Sequence, residues 1–169
     1  MRRWGLFLFL VLSSGCATQG QRPEYRLVEP GAPDSAQAVA MRMLRSLADG
    51  DLDAAAALSN APKRRLEVLR DYRNSLGEEE FRQVFQRYFA PQNKVIAEVA
   101  LGPRRLIVWD LGEADNHVAG QFYIEIDGRF VMDDVPSDAR SELRRILQEY
   151  RTGKANRERT PAPFSEKGP

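Results

Sequence analysis

The chain has 169 residues, which is enough for one ordinary domain with extensions at its ends. Its 25 Lys and Arg nearly balance its 24 Asp and Glu, so the composition gives no support to nucleic acid as a partner. A single cysteine and a single histidine exclude an intramolecular disulfide and a zinc site built from Cys and His. No acidic calcium-loop motif is present, and we expect neither a metal nor a cofactor.

The first sixteen residues have the pattern of an export signal. A pair of arginines precedes an apolar run over residues 4–12, which is too short for a membrane-spanning helix. Small residues at 13–15 then lead into Cys16. This pattern resembles the lipobox of bacterial lipoproteins, in which the cysteine receives a diacylglycerol and the preceding peptide is removed. The resemblance implies that residues 1–15 are a signal peptide and that Cys16 is lipidated.

The same resemblance implies a location in the bacterial cell envelope. In that family an Asp directly after the lipidated cysteine tends to retain the protein in the inner membrane, and here the residue is Ala17. We therefore expect an outer-membrane protein whose folded part faces the periplasm. Each buried methylene contributes about 0.8 kcal/mol, so two or three acyl chains attach a protein to the membrane essentially permanently.

Two segments flank the predicted domain. Residues 16–34 contain several prolines and glycines with few apolar side chains, which predicts a flexible tether. Residues 152–169 are polar and contain prolines, which predicts a disordered tail. The folded domain is expected to span residues 35–151.

Helical spacing of apolar residues predicts four helices in the first half of this domain. Capping residues, a proline and glycines mark their ends. The expected bounds are Asp34 or Ser35 to Gly50, Asp51 to Leu58, Pro62 to Gly77, and Glu78 to Pro91.

From Lys94 the apolar period changes from helical to two. Four strands are predicted, over residues 94–101, 105–111, 117–126 and 129–133, and Asp127-Gly128 predicts a type I′ hairpin turn. Ser137 begins a last helix with an apolar face. This order predicts an α+β fold in which N-terminal helices pack on one face of a curved antiparallel four-stranded meander, with a C-terminal helix added.

Two stretches carry a resemblance to a known fold. The exit of the first helix, LADGDL from Leu47, and the closing hairpin GQFYIEIDGRFVMDDV are similar to the nuclear transport factor 2-like superfamily. This cone-shaped fold includes ketosteroid isomerases, and also small lipoproteins of unknown function. The resemblance covers roughly residues 35–135. It implies a cavity between helices and sheet, in which isomerases use a carboxylate base and a Tyr–Asp oxyanion pair.

An enzyme of this kind needs an acid or base inside the cone. Asp110 is the best general base if the face it shares with Leu106 and Val108 lines the cone, and otherwise it caps a strand end. The alternation of the third strand places His117, Tyr123 and Glu125 away from its apolar face, where Tyr123 and Glu125 are expected to be solvated. Two further candidates lie on apolar helix stripes and are expected in the core: Tyr72 and Tyr88.

The second strand is apolar on both faces. Ile107, Trp109 and Leu111 lie on the face opposite Leu106 and Val108, although a sheet with one solvated face should alternate. One interpretation is that the Trp109 face contacts a partner, either a second copy in a homodimer or an envelope protein. The other is that the last helix covers this face.

These observations favour a non-catalytic binding or accessory module for a small apolar ligand or a protein partner. A ketosteroid-isomerase-like enzyme that uses the cone cavity is one alternative, and a structural component of an envelope assembly is another. The fold does not choose among them, because the same cone serves catalysts and binders.

The expected lipid anchor can be tested by replacing its sulfur. We expect the Cys16→Ser protein to be found in the soluble fraction, whereas the wild-type protein sediments with membranes because its acyl chains bury in the bilayer. Intact mass should show a wild-type chain that lacks residues 1–15 and carries the acyl groups. A Cys16→Ser protein that still sediments with membranes contradicts the prediction.

Overall fold

The computed structural model describes residues 24–29, 31–112 and 118–153. They form an α+β fold, which confirms the predicted class. The helices are α1 (Gln37–Ala48), α2 (Leu52–Ala57), α3 (Pro62–Leu76), α4 (Glu78–Gln86) and α5 (Asp138–Arg151), with a 3₁₀ turn at Arg87–Phe89 after α4. The strands are β1 (Arg26–Leu27), β2 (Lys94–Leu101), β3 (Arg104–Asp110), β4 (Val118–Ile126) and β5 (Arg129–Met132). The expected signal peptide, Cys16, His117 and residues 154–169 lie outside the described residues.

The sheet has five strands in the order β1-β2-β3-β4-β5, and each neighbouring pair is antiparallel. The four predicted strands are β2 to β5, so the prediction of a four-stranded sheet is wrong by one edge strand. β1 pairs with the outer edge of β2 through Arg26 opposite Ala100 and Leu27 opposite Val99. It could not be recognised in the sequence because two residues show no alternation.

Because β1 belongs to the sheet, the folded domain begins earlier in the chain than predicted. Val28 is buried, and its N–H donates to the Glu98 carbonyl oxygen at 2.9 Å. The segment expected to be a tether, 16–34, therefore contains residues that belong to the fold, and the domain begins before residue 35.

Helices cover both faces of the sheet: the N-terminal helices lie on one face, as predicted, whereas α5 covers the other, so the helices are not confined to a single face. On one face, Ile107 and Trp109 of β3 lie in an apolar cluster with residues of α1 and α4, such as Leu44 and Phe81. We call this the helix-layer face. On the other face, Leu106 and Val108 lie in a second cluster with the apolar side of α5. Burial on both sides explains why β3 reads as a continuous apolar run.

Local sequence signals act as predicted at several boundaries. Asp51 Oδ1 accepts a hydrogen bond from the Ala54 N–H at 2.9 Å and caps α2, and Ser137 Oγ accepts from the Arg140 N–H at 3.1 Å and caps α5. Asp127 and Gly128 have φ of 50° and 73°, as a type I′ turn requires. Gly120 of β4 has a different role, since a Cβ there would lie 2.4 Å from a Leu147 methyl carbon, so α5 approaches the sheet closely at this point.

The buried carboxylate of Glu98 joins the start of α1 to the sheet by hydrogen bonds. Glu98 of β2 accepts hydrogen bonds from the Ala36 N–H at 2.7 Å and from Ser35 Oγ at 2.6 Å. Ser35, one of the two predicted capping residues, in turn accepts from the Gln37 N–H at 3.1 Å. The buried Arg105 places its Nε 3.9 Å from Glu98 Oε1. The carboxylate thus satisfies the first helical donor and balances a buried cation.

Removing this carboxylate should destabilise the domain. We expect Glu98→Ala to lower the free energy of unfolding by about 3 kcal/mol or more, because a buried guanidinium and a helix N–H lose their anionic partner. Glu98→Gln, which keeps one acceptor, should cost less. The exposed Glu125→Ala is the control and should change the value by about 0.5 kcal/mol at most. Urea unfolding measures all three, and a Glu98→Ala protein as stable as this control contradicts the assignment.

Candidate functional site

Tyr123 is the polar side chain that the fold isolates most completely. It lies on β4 opposite Met132 of β5, is fully buried, and its hydroxyl has no hydrogen-bond partner among the described residues. The expectation that Tyr123 is solvated is therefore wrong. Its face of β4 is the one that the helix layer covers. A buried polar group without a partner costs about 1–3 kcal/mol, so an acceptor brought to this hydroxyl would be bound favourably.

Tyr123 shares the apolar cluster of the helix-layer face with Trp109, and Tyr88 packs against the same cluster. Trp109 of the neighbouring strand donates from Nε1 to Gln121 Oε1 at 3.0 Å, and Gln121 is two residues before Tyr123 on the same side of β4. The Tyr88 ring meets the Trp109 ring edge to face, with their centroids 5.2 Å apart. These contacts make an apolar wall that carries few polar atoms.

A second aromatic group joins α3 and α4. Tyr72, Phe81 and Phe85 are in edge-to-face contact, with ring centroids 5.0–6.4 Å apart. Exposure rises from the fully buried Tyr123 through the half-buried Tyr88 to Tyr72, which is 38% exposed. Of the three tyrosines on this side of the sheet, Tyr72 on α3 is thus the nearest to solvent and Tyr123 the furthest from it.

Burial keeps both inner phenols protonated. It raises the pKa of Tyr123 far above its usual value, against a weaker opposing effect of the Arg65 guanidinium, and Tyr88 and Asp134 add to the rise. Burial also raises the pKa of Tyr88, and Tyr72 adds to that rise. At neutral pH the Tyr123 hydroxyl is therefore a neutral hydrogen-bond donor.

Two carboxylates follow β5 near this site, and both have partners. Asp134 accepts from Arg65 Nε at 2.8 Å and from Ser59 Oγ at 2.6 Å. The buried Asp133 accepts from Asn60 Nδ2 at 3.0 Å and from Arg104 Nε at 2.9 Å. These bonds hold the α2–α3 connection against the end of β5. Both carboxylates already accept hydrogen bonds from a guanidinium and from a neutral donor.

Asp110, the predicted general base, lies apart from Tyr123. It is half-buried at the end of β3, where its Oδ1 accepts from the Gly112 N–H at 3.0 Å. It shares a face with Leu106 and Val108, and α5 covers that face. Asp110 therefore caps a strand end, which is the alternative interpretation of this residue. The structure does not bring Asp110 together with the aromatic wall.

The side chains expected to form a partner interface are covered by the chain itself. Ile107, Trp109 and Leu111 are buried in the cluster that α1 and α4 complete. The alternative, that the last helix covers them, is also wrong, because α5 lies on the opposite face. Glu125 is exposed, as expected. Tyr72 and Tyr88 were both expected in the core. The expectation is wrong for Tyr72, which is exposed, and Tyr88 is half-buried.

The burial of Tyr123, which the sequence analysis assigns to solvent, is indicated by the neighbouring strand. Alternation in β4 shows which side chains share a face, and the prediction rests on the assumption that only the more apolar face is buried. The apolar residues on both faces of β3 indicated that the β4 face bearing Tyr123 would be covered as well.

No protein-family model matches the chain, and no curated protein or solved structure matches it either. Within residues 24–29, 31–112 and 118–153, no group of three or more His, Cys, Asp or Glu side chains could hold a metal ion. The same part of the chain contains no helix that is long and apolar enough to cross a membrane.

The buried phenol predicts a loss of stability at alkaline pH. A tyrosine in the unfolded chain loses its proton near pH 10, whereas Tyr123 in the folded chain keeps it to higher pH. Above pH of about 10 the unfolded state therefore binds fewer protons, and the free energy of unfolding falls by up to about 1.4 kcal/mol per pH unit for this group. Urea unfolding on both sides of this pH should show a larger fall for wild type than for Tyr123→Phe. Equal falls contradict the burial of a protonated phenol.

Proposed function

We propose that the protein is a lipid-anchored module of the bacterial cell envelope that binds a small apolar ligand without catalysing a reaction. Tyr123 carries the proposal, because its hydroxyl is buried without a hydrogen-bond partner among the described residues and its side chain belongs to the apolar cluster that contains Trp109. A ligand that fits has an apolar body and one acceptor oxygen, such as a ketone, ester or ether. The body contacts the aromatic wall, and the oxygen accepts from the phenol.

The remaining parts of the proposal come from the N-terminal sequence and the resemblance to cone-shaped domains. The lipobox-like stretch before Cys16 supports lipid attachment and export, and Ala17 supports the outer membrane, with the domain in the periplasm. The likeness to the nuclear transport factor 2-like superfamily supports a ligand site between helices and sheet. The lipid anchor is tested by the experiment on Cys16, and the ligand site is tested by the experiment on Tyr123.

The geometry supports binding better than catalysis. An isomerase-like reaction needs a carboxylate that is free to take a proton near the Tyr123 donor. Asp133 and Asp134 are engaged by arginines and by neutral donors, and Asp110 lies on the other face of the sheet. Among the described residues, Tyr123 can stabilise an oxygen, but no carboxylate beside it is placed to act as a base.

A matched pair of ligands tests the role of the hydroxyl. We expect 2-undecanone to bind the wild-type protein, and Tyr123→Phe to weaken this binding about tenfold, because a hydrogen bond worth about 1 kcal/mol or slightly more is lost. Undecane, which has the same chain and no acceptor, should bind both proteins equally. Displacement of the fluorescent probe N-phenyl-1-naphthylamine measures both affinities.

Tyr72→Phe is the control variant, since it removes a hydroxyl from an exposed tyrosine of the second aromatic group, with Phe81 and Phe85. It should leave the affinity for both ligands unchanged. A ketone affinity that is the same in wild type and Tyr123→Phe contradicts the ligand site. That result would favour the remaining alternative, a structural component of an envelope assembly, which has no need for a free phenol.

A further inference from the structure

The start of β1 and both hairpin turns lie at the same end of the sheet. The β2–β3 turn at Gly102-Pro103 and the β4–β5 turn at Asp127-Gly128 lie at the same end, and the Pro103 carbonyl oxygen accepts from the Glu125 N–H at 2.9 Å. β1 begins there too, because Arg26 pairs with Ala100, next to the β2–β3 turn. We call this the hairpin end.

Exposed apolar side chains collect at the hairpin end on the side that carries α5. Tyr25 is 38% exposed, Leu27 49% and Ile126 45%. Leu27 pairs with Val99 of β2, a member of the α5 cluster, and Ile126 follows Phe122 with the same alternation on β4. Pro103, at the turn between them, is also exposed.

A shallow groove of about 570 Å³ lies on the same side. It is lined by the β2–β3 turn and the first turn of α5, with the apolar Leu101, Pro103 and Ala139 beside the charged Arg104, Asp138 and Glu142. Together with Tyr25, Leu27 and Ile126 it makes a largely apolar region with a charged border, which the described chain leaves open. We call this region the hairpin-end surface.

The length of chain that precedes this surface limits what can cover it. Eight residues lie between Cys16 and Tyr25, so nine Cα–Cα steps join them. A fully extended chain of this length reaches roughly 30 Å. An acyl group on Cys16 therefore holds the hairpin end, where the described chain begins, within roughly 30 Å of the bilayer.

We propose that the hairpin-end surface rests on the bilayer to which Cys16 is attached. Tyr25 then lies at the level of the lipid headgroups, where an apolar ring with a polar tip is favoured. Leu27, Pro103 and Ile126 contact the acyl boundary. This inference rests on the proposed lipid anchor, and it adds the orientation that the domain takes on the membrane.

The charges around the surface indicate that apolar contact, and not attraction to anionic lipid, supplies the interaction. Arg26 forms an ion pair with Asp34, and Arg104 with Asp133, while the turn of β4–β5 places Asp127 beside Arg129. Because this end of the domain has no excess of positive charge, its contact with the membrane should change little when the salt concentration is raised.

Site-specific depth measurement on the full-length lipidated protein tests the orientation. The thiol of Cys16 is blocked by its lipid, so an introduced cysteine can be labelled alone. Pro103→Cys places a fluorophore on the hairpin-end surface, and Asn74→Cys places one on the exposed side of α3. In vesicles of equal parts phosphatidylethanolamine and phosphatidylglycerol with brominated acyl chains, we expect quenching several-fold stronger at position 103 than at position 74, in low and high salt alike.

Two double variants identify the side chains responsible. Tyr25→Ser with Leu27→Ser should remove the excess quenching at position 103. Val68→Ser with Tyr72→Ser, which removes the same number of exposed apolar side chains from α3, should leave it unchanged. Ile126→Ser provides a second test at the hairpin end if the first pair alters folding.

Each outcome separates this inference from the lipid anchor. Intact mass of the same preparation reports the acyl groups on Cys16, and a chain without them overturns the anchor and the orientation together. A lipidated chain with equal quenching at both positions overturns the orientation alone. So does protection of position 103 in detergent that scales with protein concentration, since a second copy would then cover the surface.

Discussion

The structure depends on one constraint, which is that β3 is buried on both faces. A strand in this position requires a layer of protein on each side, and the chain supplies α1 to α4 on one side and α5 on the other. The positions of Trp109 and Asp110 follow from this arrangement. Trp109 becomes part of a wall inside the domain, and Asp110 becomes a strand-end residue on the α5 side.

Polar groups position the helix layer that this constraint demands. Glu98 and Arg105 hold the start of α1 on the sheet, and Arg65 with Asp134 holds the start of α3 near the end of β5. Because these charges have partners, they stabilise the arrangement of the helices, and removing one member of a pair would leave the other unpaired. Tyr123 differs from these groups, since it is buried in the same layer and its hydroxyl has no hydrogen-bond partner among the described residues.

Local signals in the sequence were sufficient for the features that depend on neighbouring residues. Asp51 and Ser137 cap helices, Asp127-Gly128 forms the hairpin turn, and the change of period at Lys94 marks the first long strand. Features that depend on distant contacts were not predictable in this way. β1 exists only because β2 offers an edge, and alternation could show which residues share a face with Tyr123 but not whether a helix covers that face. Of the candidate site, Tyr88 and Trp109 were singled out from the sequence, although neither was given its place in the aromatic wall.

The two faces of the sheet also separate the two proposed contacts of the domain. Tyr123 and Trp109 belong to the helix-layer face, which a ligand would reach from the side of α3 and α4. The hairpin-end surface belongs to the α5 side, with Leu27 and Ile126. A domain that rests on the bilayer through this surface keeps α3 and α4 turned toward the aqueous phase. The proposed membrane contact and the proposed ligand site therefore use different elements, so that one would not block the other.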